Sequence, residues 1–300
     1  MSEMRRVILL FFALAGLAVV VLTSCGVGGG EGGEAAGAEG KLARVVEIEG
    51  ERGLYVRCTG SRSPTVVMEA GDENDSSLFI NVESAVSARS TNGTYAVSAR
   101  STNRTCVYDR AGLGKSDPAP PPPRELPDLV GDLDKLLDAA EIPGPYVLVG
   151  SSGGGYIITG YAAEHPDRVA GMVLVETPRP SANPPQELVE VLEPDNPENI
   201  EHRDYLQVEK DAWAARRRIG DIPMRVISAD YPEEWIKQEP FPEVHPDMRR
   251  NVEGQKGWLV LSPQAKQIVV DTTHYVWDEQ PEVMIEAILD VLREARAKQG

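Results

Sequence analysis

The stretch "YVLVGSSGGGY", residues 146–156, joins an apolar run to two serines and four glycines, and a helical pattern follows it. It is either a soft linker or a tight turn that holds one serine out for chemistry. The pattern G-x-S-x-G fits in one frame only, Gly150, Ser152 and Gly154, so Ser152 rather than Ser151 is the central residue. A serine at a sharp strand-to-helix turn has a strained backbone, tolerated only where small residues stand two before and two after it. Such a turn lifts the hydroxyl above a sheet and aims the next backbone N–H groups, at a helix N-terminus, toward developing negative charge. On this reading the glycines are a steric requirement and Ser152 is a candidate nucleophile.

A serine nucleophile needs a base, and the chain has four histidines: His165, His202, His245 and His274. His274, in "VVDTTHYVWDEQPE", follows the last β-rich run and precedes the amphipathic pattern "PEVMIEAILDVLREA". That position can place it at the same carboxyl edge of a sheet as Ser152, where open α/β sheets build their sites. His165, in "AEHPDRV", reads as a helix cap or surface residue, and His202 and His245, in polar and proline-rich surroundings, read as exposed. The base in turn needs a carboxylate to fix its tautomer and stabilise the imidazolium. Two acids follow strand-like runs, Glu176 in "MVLVETPRP" and Asp230 in "RVISADYPEE".

The surroundings of these residues set the fold class. The runs "GLYVRC", "PTVVMEAG", "TCVYDR", "PYVLVG", "VAGMVLVE", "PMRVISA" and "KQIVVD" alternate with helical stretches. Most are nearly continuous in Val, Ile and Leu, as strands covered on both faces must be. The expectation is an α/β protein with a mostly parallel, doubly wound sheet and helices on both sides. In "LPDLVGDLDKLLDAA", Leu126 to Ala140, Leu129, Val130, Leu133, Leu136 and Leu137 form one helical stripe opposite acids. Residues 116–128, "SDPAPPPPRELPD", are too rich in proline for a helix or central strand and read as an extended surface loop. Residues 178–220 break the strand rhythm with prolines, acids and a helical pattern from Tyr205 to Arg218, which suits a small cap inserted over a site.

The N-terminal residues do not belong to this core. "MSEMRR" and the 16-residue apolar run "VILLFFALAGLAVVVL" read as a signal peptide over residues 1–24, too short to favour a bilayer span. "LTSC" resembles a bacterial lipobox, which implies that Cys25 is lipidated; an uncleaved anchor helix is the alternative. Either way the body is expected outside the cytoplasm, tied to a bacterial membrane. "GVGGGEGGEAAGAEG" holds nothing to bury, so residues 25–40 are expected to be a flexible tether to a domain spanning 41–300. The net charge of −17 disfavours phosphate backbones, so nucleic acid is not an expected partner. With Cys25 lipidated, Cys58 and Cys106 remain as an even pair, either a disulfide or two separate buried thiols. One internal repeat stands out: "AVSARSTNGTY" at 85–95 is copied with two changes as "AVSARSTNRTC" at 96–106. Two units cannot build a solenoid, and the copy reads as a tandem duplication that lengthens a helix or loop.

Taken in order, "VVMEAG", "YDRAGLGKSD", "GSSGGGY", "HPDRVAGMVLVE" and "THYVWDEQPE" strongly resemble the α/β-hydrolase superfamily, over about residues 48–296. The resemblance implies a Ser-His-acid triad. In that superfamily the acid usually follows the seventh strand, favouring Asp230, although Asp230 comes almost at once after the run. Members resembling haloalkane dehalogenases carry it after the sixth strand, where Glu176 stands, and Glu176 is preferred here. The resemblance also implies an oxyanion hole from the N–H groups of Gly153 and Asp72. The usual His-Gly of that loop is Ala70-Gly71, and a carboxylate at 72 is unfavourable near an oxyanion unless it points away. The family topology places Cys58 and Cys106 on neighbouring strands, which makes their disulfide geometrically reasonable. Serine at the elbow, where dehalogenases and epoxide hydrolases carry aspartate, argues against both of those chemistries. The expected function is hydrolysis of a carboxylic ester or similar acyl bond of a small molecule, with no metal or cofactor required. Lactonase or aminopeptidase action, an acyl-transferase or perhydrolase activity, and a non-catalytic lipid-anchored binding module of the same fold are the alternatives.

Overall fold

The computed structural model describes residues 41–50, 52–89, 102–182, 184, 186–216, 219–237 and 251–299. The signal segment, Cys25, the tether, the centre of the duplicated stretch and His245 lie outside the described residues.

The strands are β1 (Leu42–Glu49), β2 (Arg52–Thr59), β3 (Arg62–Glu69), β4 (Asn103–Tyr108), β5 (Tyr146–Ser151), β6 (Val169–Val175), β7 (Met224–Asp230) and β8 (Ala265–Asp271). The helices are α1 (Ile80–Ala88), α2 (Leu126–Ala139), α3 (Gly154–Glu164), α4 (Gln186–Val191), α5 (Tyr205–Ala215), α6 (Glu233–Ile236), α7 (Asn251–Gln255), α8 (Val276–Glu279) and α9 (Pro281–Gln299). The strands form one sheet in the order β1-β2-β4-β3-β5-β6-β7-β8. β1 and β2 are antiparallel to each other, β2 is antiparallel to β4, and every other neighbouring pair is parallel.

Alternation along the central strands divides the core in two. Leu148, Met172, Leu174 and Val226 point to the side covered by α2 and α3. Val147, Val149, Val173, Val175 and Ile227 point to the side covered by α1 and α9. Both faces of the sheet are therefore dry, which is why those strands read as continuous apolar runs. The stripe of α2 is buried as its spacing requires. Pro127 falls in the first turn of this helix, where its missing N–H costs nothing, so the proline-rich loop stops at Glu125 rather than at residue 128. A reciprocal pair of bonds between Glu125 and Asp128 caps that end.

Strand β1 has no counterpart among the apolar runs. It lies at the sheet edge and buries little beyond Val46, so its sequence carries charge where a central strand carries Val or Leu. Cys58 and Cys106 face each other across β2 and β4 and form a disulfide, with Cα atoms 4.0 Å apart.

Candidate active site

Ser152 stands between β5 and α3 at φ +49°, a left-handed conformation that serine rarely adopts. A Cβ at Gly150 would come 2.7 Å from the Gly155 Cα, and one at Gly154 would come 2.4 Å from the Ala70 carbonyl oxygen. The chain folds back on itself so closely that only glycine fits at these two positions. The Ser152 N–H donates to the Val175 carbonyl (2.8 Å), which fastens the turn to the end of β6.

The residue that follows β6 is Glu176, also at φ +49° and 1% exposed. Its carboxylate is the centre of a converging set of donors. Oε1 accepts from the Ala229 N–H (2.6 Å), from Gln255 Nε2 (2.8 Å) and from Asn251 Nδ2 (3.0 Å). Oε2 accepts from the Tyr231 hydroxyl (2.9 Å) and lies 3.4 Å from His274 Nδ1. Burial, reinforced by the Glu176 charge, pushes the Tyr231 phenol well above its ordinary pKa, so it stays protonated as a donor. Buried and surrounded by fixed dipoles, the carboxylate has no freedom to turn away. His274 is itself partly buried and meets Trp277 edge to face, with ring centres 5.5 Å apart.

Asp230, the other acid considered from the sequence, is the exposed last residue of β7 and pairs in register with Asp271 of β8. The chain thus brings Glu176 to His274 and leaves Asp230 in solvent. The remaining histidines lie elsewhere among the described residues. His165 ends α3 and packs on Tyr161 with ring centres 4.7 Å apart. His202 is half-buried, with Nδ1 2.6 Å from the Pro120 carbonyl oxygen.

The loop after β3 closes the other side of Ser152. A Cβ on Gly71 would be 3.2 Å from Ser152 Cβ, so the loop backbone touches Ser152. Among the described residues no hydrogen bond uses the N–H of Asp72 or of Gly153. The Asp72 carboxylate does not turn away from the elbow. A Cβ at Gly153 would meet Asp72 Oδ1 at 1.7 Å, and that oxygen accepts a hydrogen bond from Arg203 Nη1. The arginine's Nη2 donates to the Gly153 carbonyl (3.2 Å). Pairing, rather than orientation, is how the chain accommodates an acid at this position.

A second arginine holds the same loop from beneath. Arg110 donates to the Ala70 carbonyl (2.6 Å), the Gly71 carbonyl (2.8 Å), Glu69 Oε1 (2.7 Å) and both oxygens of Glu201. Burial alone would raise the Glu201 carboxyl, but the Arg110 guanidinium overcomes it and holds the group below its usual range. For Glu69 burial wins over Arg110, and its carboxyl is raised. The buried acids and arginines join β3, the "YDR" loop and the cap insertion into one network. Sequence reasoning quoted Arg110 without giving it a role, and it missed Glu201, Arg203, Tyr231, Asn251 and Gln255. The one signal for these was the polar i, i+4 pair Asn251 and Gln255, which places both on one face of a helix.

Among the described residues no three His, Cys, Asp or Glu side chains converge in a way that could hold a metal ion.

A family model described as alpha/beta hydrolase fold matches residues 96–221. The probable transporter efuK of Hormonema carpetanum is 35% identical over 136 residues, 43% of this chain and 18% of that protein. An uncharacterized protein of Bacillus subtilis, YqjL, is 24% identical over 190 residues, 62% of this chain and 71% of that protein. The chain therefore spans less than a fifth of the first relative and most of the second. Among solved structures, an enol-lactonase from Burkholderia xenovorans LB400 superposes with TM-score 0.61 at 17% identity, covering 84% of this chain and 100% of that one. A thermophilic esterase from Thermogutta terrifontis superposes with TM-score 0.62 at 19% identity, covering 85% and 99%. The chain has the α/β-hydrolase fold.

Proposed function

We propose that this α/β-hydrolase-fold chain is a serine hydrolase that cleaves a carboxylic ester or similar acyl bond of a small molecule. The observation that carries the reading is the 3.4 Å approach of His274 Nδ1 to the buried Glu176 carboxylate, beside a serine held at φ +49° on the adjoining strand end. With Nδ1 protonated and held by Glu176, His274 Nε2 is left with a lone pair and can take the Ser152 proton. Ser152 Oγ then attacks the acyl carbon, and the N–H groups of Gly153 and Asp72 receive the charge that develops on the carbonyl oxygen. The imidazolium returns its proton to the leaving oxygen as the C–O bond breaks, which yields the acyl-enzyme. Water, deprotonated by the same nitrogen, attacks the acyl-enzyme; Ser152 leaves and is reprotonated, and the carboxylic acid is released.

The location is part of the same proposal. The residues before the domain carry a signal pattern and a lipobox-like Cys25, and a disulfide between Cys58 and Cys106 suits an oxidising compartment. We place the enzyme outside the cytoplasm on a lipid anchor.

Fluorophosphonate labelling of residues 41–300, with hydrolysis of short p-nitrophenyl esters in parallel, tests the reading. The parent is expected to label and turn over, and Ser152→Ala and His274→Ala are expected to lose both. A folded parent that does neither would make the chain a tethered binding module of this fold.

A further inference from the structure

A carboxylate on an oxyanion-loop residue is a liability. The tetrahedral intermediate places a negative charge opposite the N–H groups of Asp72 and Gly153, and like charges a few ångströms apart repel strongly where water is scarce. The Asp72 carboxylate lies over the Gly153 Cα and is bonded there by Arg203, so its charge stays beside those donors. Its charge must therefore be cancelled in place.

Arg203 is built to do this. It reaches the loop from the cap insertion, is fully buried, and bonds both residues that carry the oxyanion donors: Asp72 Oδ1 through Nη1 and the Gly153 carbonyl through Nη2. Its backbone is fixed before the side chain makes any contact. The Arg203 N–H donates to Asn199 Oδ1 (3.3 Å), its carbonyl accepts from Asn199 Nδ2 (2.9 Å), and residues on either side exchange backbone bonds with Arg124. The guanidinium also stacks over the Tyr205 ring, 4.9 Å from its centre. A side chain held at three places on a fixed backbone is preorganised, so its charge need not rearrange as the oxyanion forms.

We propose that Arg203 is a positioning residue of the acyl-transfer site, which neutralises Asp72 and locks it to Gly153 so that an acidic residue can serve in the oxyanion loop. This role rests on the hydrolase reading above. It makes the cap insertion a working part of the catalytic centre as well as a cover over it.

A double-mutant cycle tests it, using Arg203→Met, Asp72→Asn and the double variant, with kcat and KM measured separately and folding checked by near-UV circular dichroism. Arg203→Met, which leaves Asp72 charged and unpaired, is expected to lower kcat by about 10²-fold, as loss of an oxyanion-hole contact does, with little change in KM. In the Asp72→Asn background the same substitution is expected to lower kcat by less than about tenfold, because no charge remains to be cancelled. An equal loss in both backgrounds would overturn the proposal, as would a rise in KM with kcat intact, which marks a substrate-binding role. Should Arg203→Met fail to fold, the double variant decides against Asp72→Asn alone, since removing both partners of a buried pair is far better tolerated than removing one. A parent that folds but neither labels nor turns over would remove the hydrolase reading and this role together, whereas a labelling parent whose cycle shows no coupling removes this role alone.

Discussion

At the scale of single residues, Glu176 and Asp230 differ in what surrounds them. Every polar neighbour of the Glu176 carboxylate is a donor: the Ala229 N–H, the Tyr231 hydroxyl, the side-chain amides of Asn251 and Gln255, and His274 when protonated on Nδ1. A glutamine there would turn one end of its amide toward donors it cannot accept from, and would no longer hold the imidazole in the productive tautomer. Glu176→Gln is therefore expected to lower kcat by roughly 10³- to 10⁴-fold, the scale seen when a triad acid is made neutral. Asp230→Asn, at an exposed strand end, is expected to leave the rate within about twofold, as surface substitutions away from a site do. Hydrolysis of a p-nitrophenyl ester by the two variants checks both, and near-parent rates in both would mean that neither acid orients the histidine. Ser152 and His274 could be picked out from the chain because each sits in a local pattern, a glycine-spaced turn and a strand-to-helix junction. Both acids could be named but not ranked by residues alone, since what separates them is burial beneath Tyr231, Asn251 and Gln255, which come from distant parts of the chain. Arg203 was illegible for the same reason: it lies in a segment without periodicity and acts on Asp72 and Gly153, 131 and 50 positions away.

At the scale of elements, the central strands β3 to β7 were legible because both faces of the sheet are covered there and each is nearly continuous in apolar residues, while β2 and the edge strand β8 were legible from short β-branched or aromatic runs although β8 buries none of its residues. The eighth, β1, was not, because an edge strand with one residue in the core follows no such rule. The duplication is a clearer case of sequence and structure illuminating each other. Helix α1 takes its last residues from the first copy, and β4 takes its first residues from the second. Asn103, which opens β4, donates through Nδ2 to the carbonyls of Val86 (2.7 Å) and Arg89 (2.6 Å) at the end of α1. The two elements thus meet directly through Asn103. Deleting residues 90–100 regenerates one "AVSARSTNRTC" and keeps each of those contacts. Since shortening a loop changes its closure entropy by less than about 1 kcal/mol, the deletion is expected to shift Tm by only a few degrees and to leave ester hydrolysis unchanged. Differential scanning calorimetry and the esterase assay check it; loss of folding would show that the second copy has become structural.

At the scale of the whole molecule, a chain of net charge −17 concentrates several of its acids where the 178–220 insertion meets the loop after β3. Glu73 and Glu209 differ from the paired acids around them. Burial, with Asp72 nearby, raises each carboxyl to about 7. The unfolded chain releases these protons near pH 4.3, so the folded state holds more protons across the interval between. Their contribution to stability is therefore complete below about pH 4 and is lost as pH rises toward 7, levelling off above it. Glu201, held low by Arg110, works the other way, and its contribution is lost only as pH falls below the ordinary carboxylate range. The two effects occupy separate windows, so one variant can isolate the first. Glu209→Gln cannot ionise, and relative to the parent it is expected to gain stability steadily from pH 5 to pH 7.5 and to gain no more above that. Urea unfolding at half-unit steps of pH measures the difference directly. A parent and variant whose stabilities run parallel through this range would mean that Glu209 is solvated at the edge of the cap, and that the charge balance of the site is carried by the arginine pairs alone.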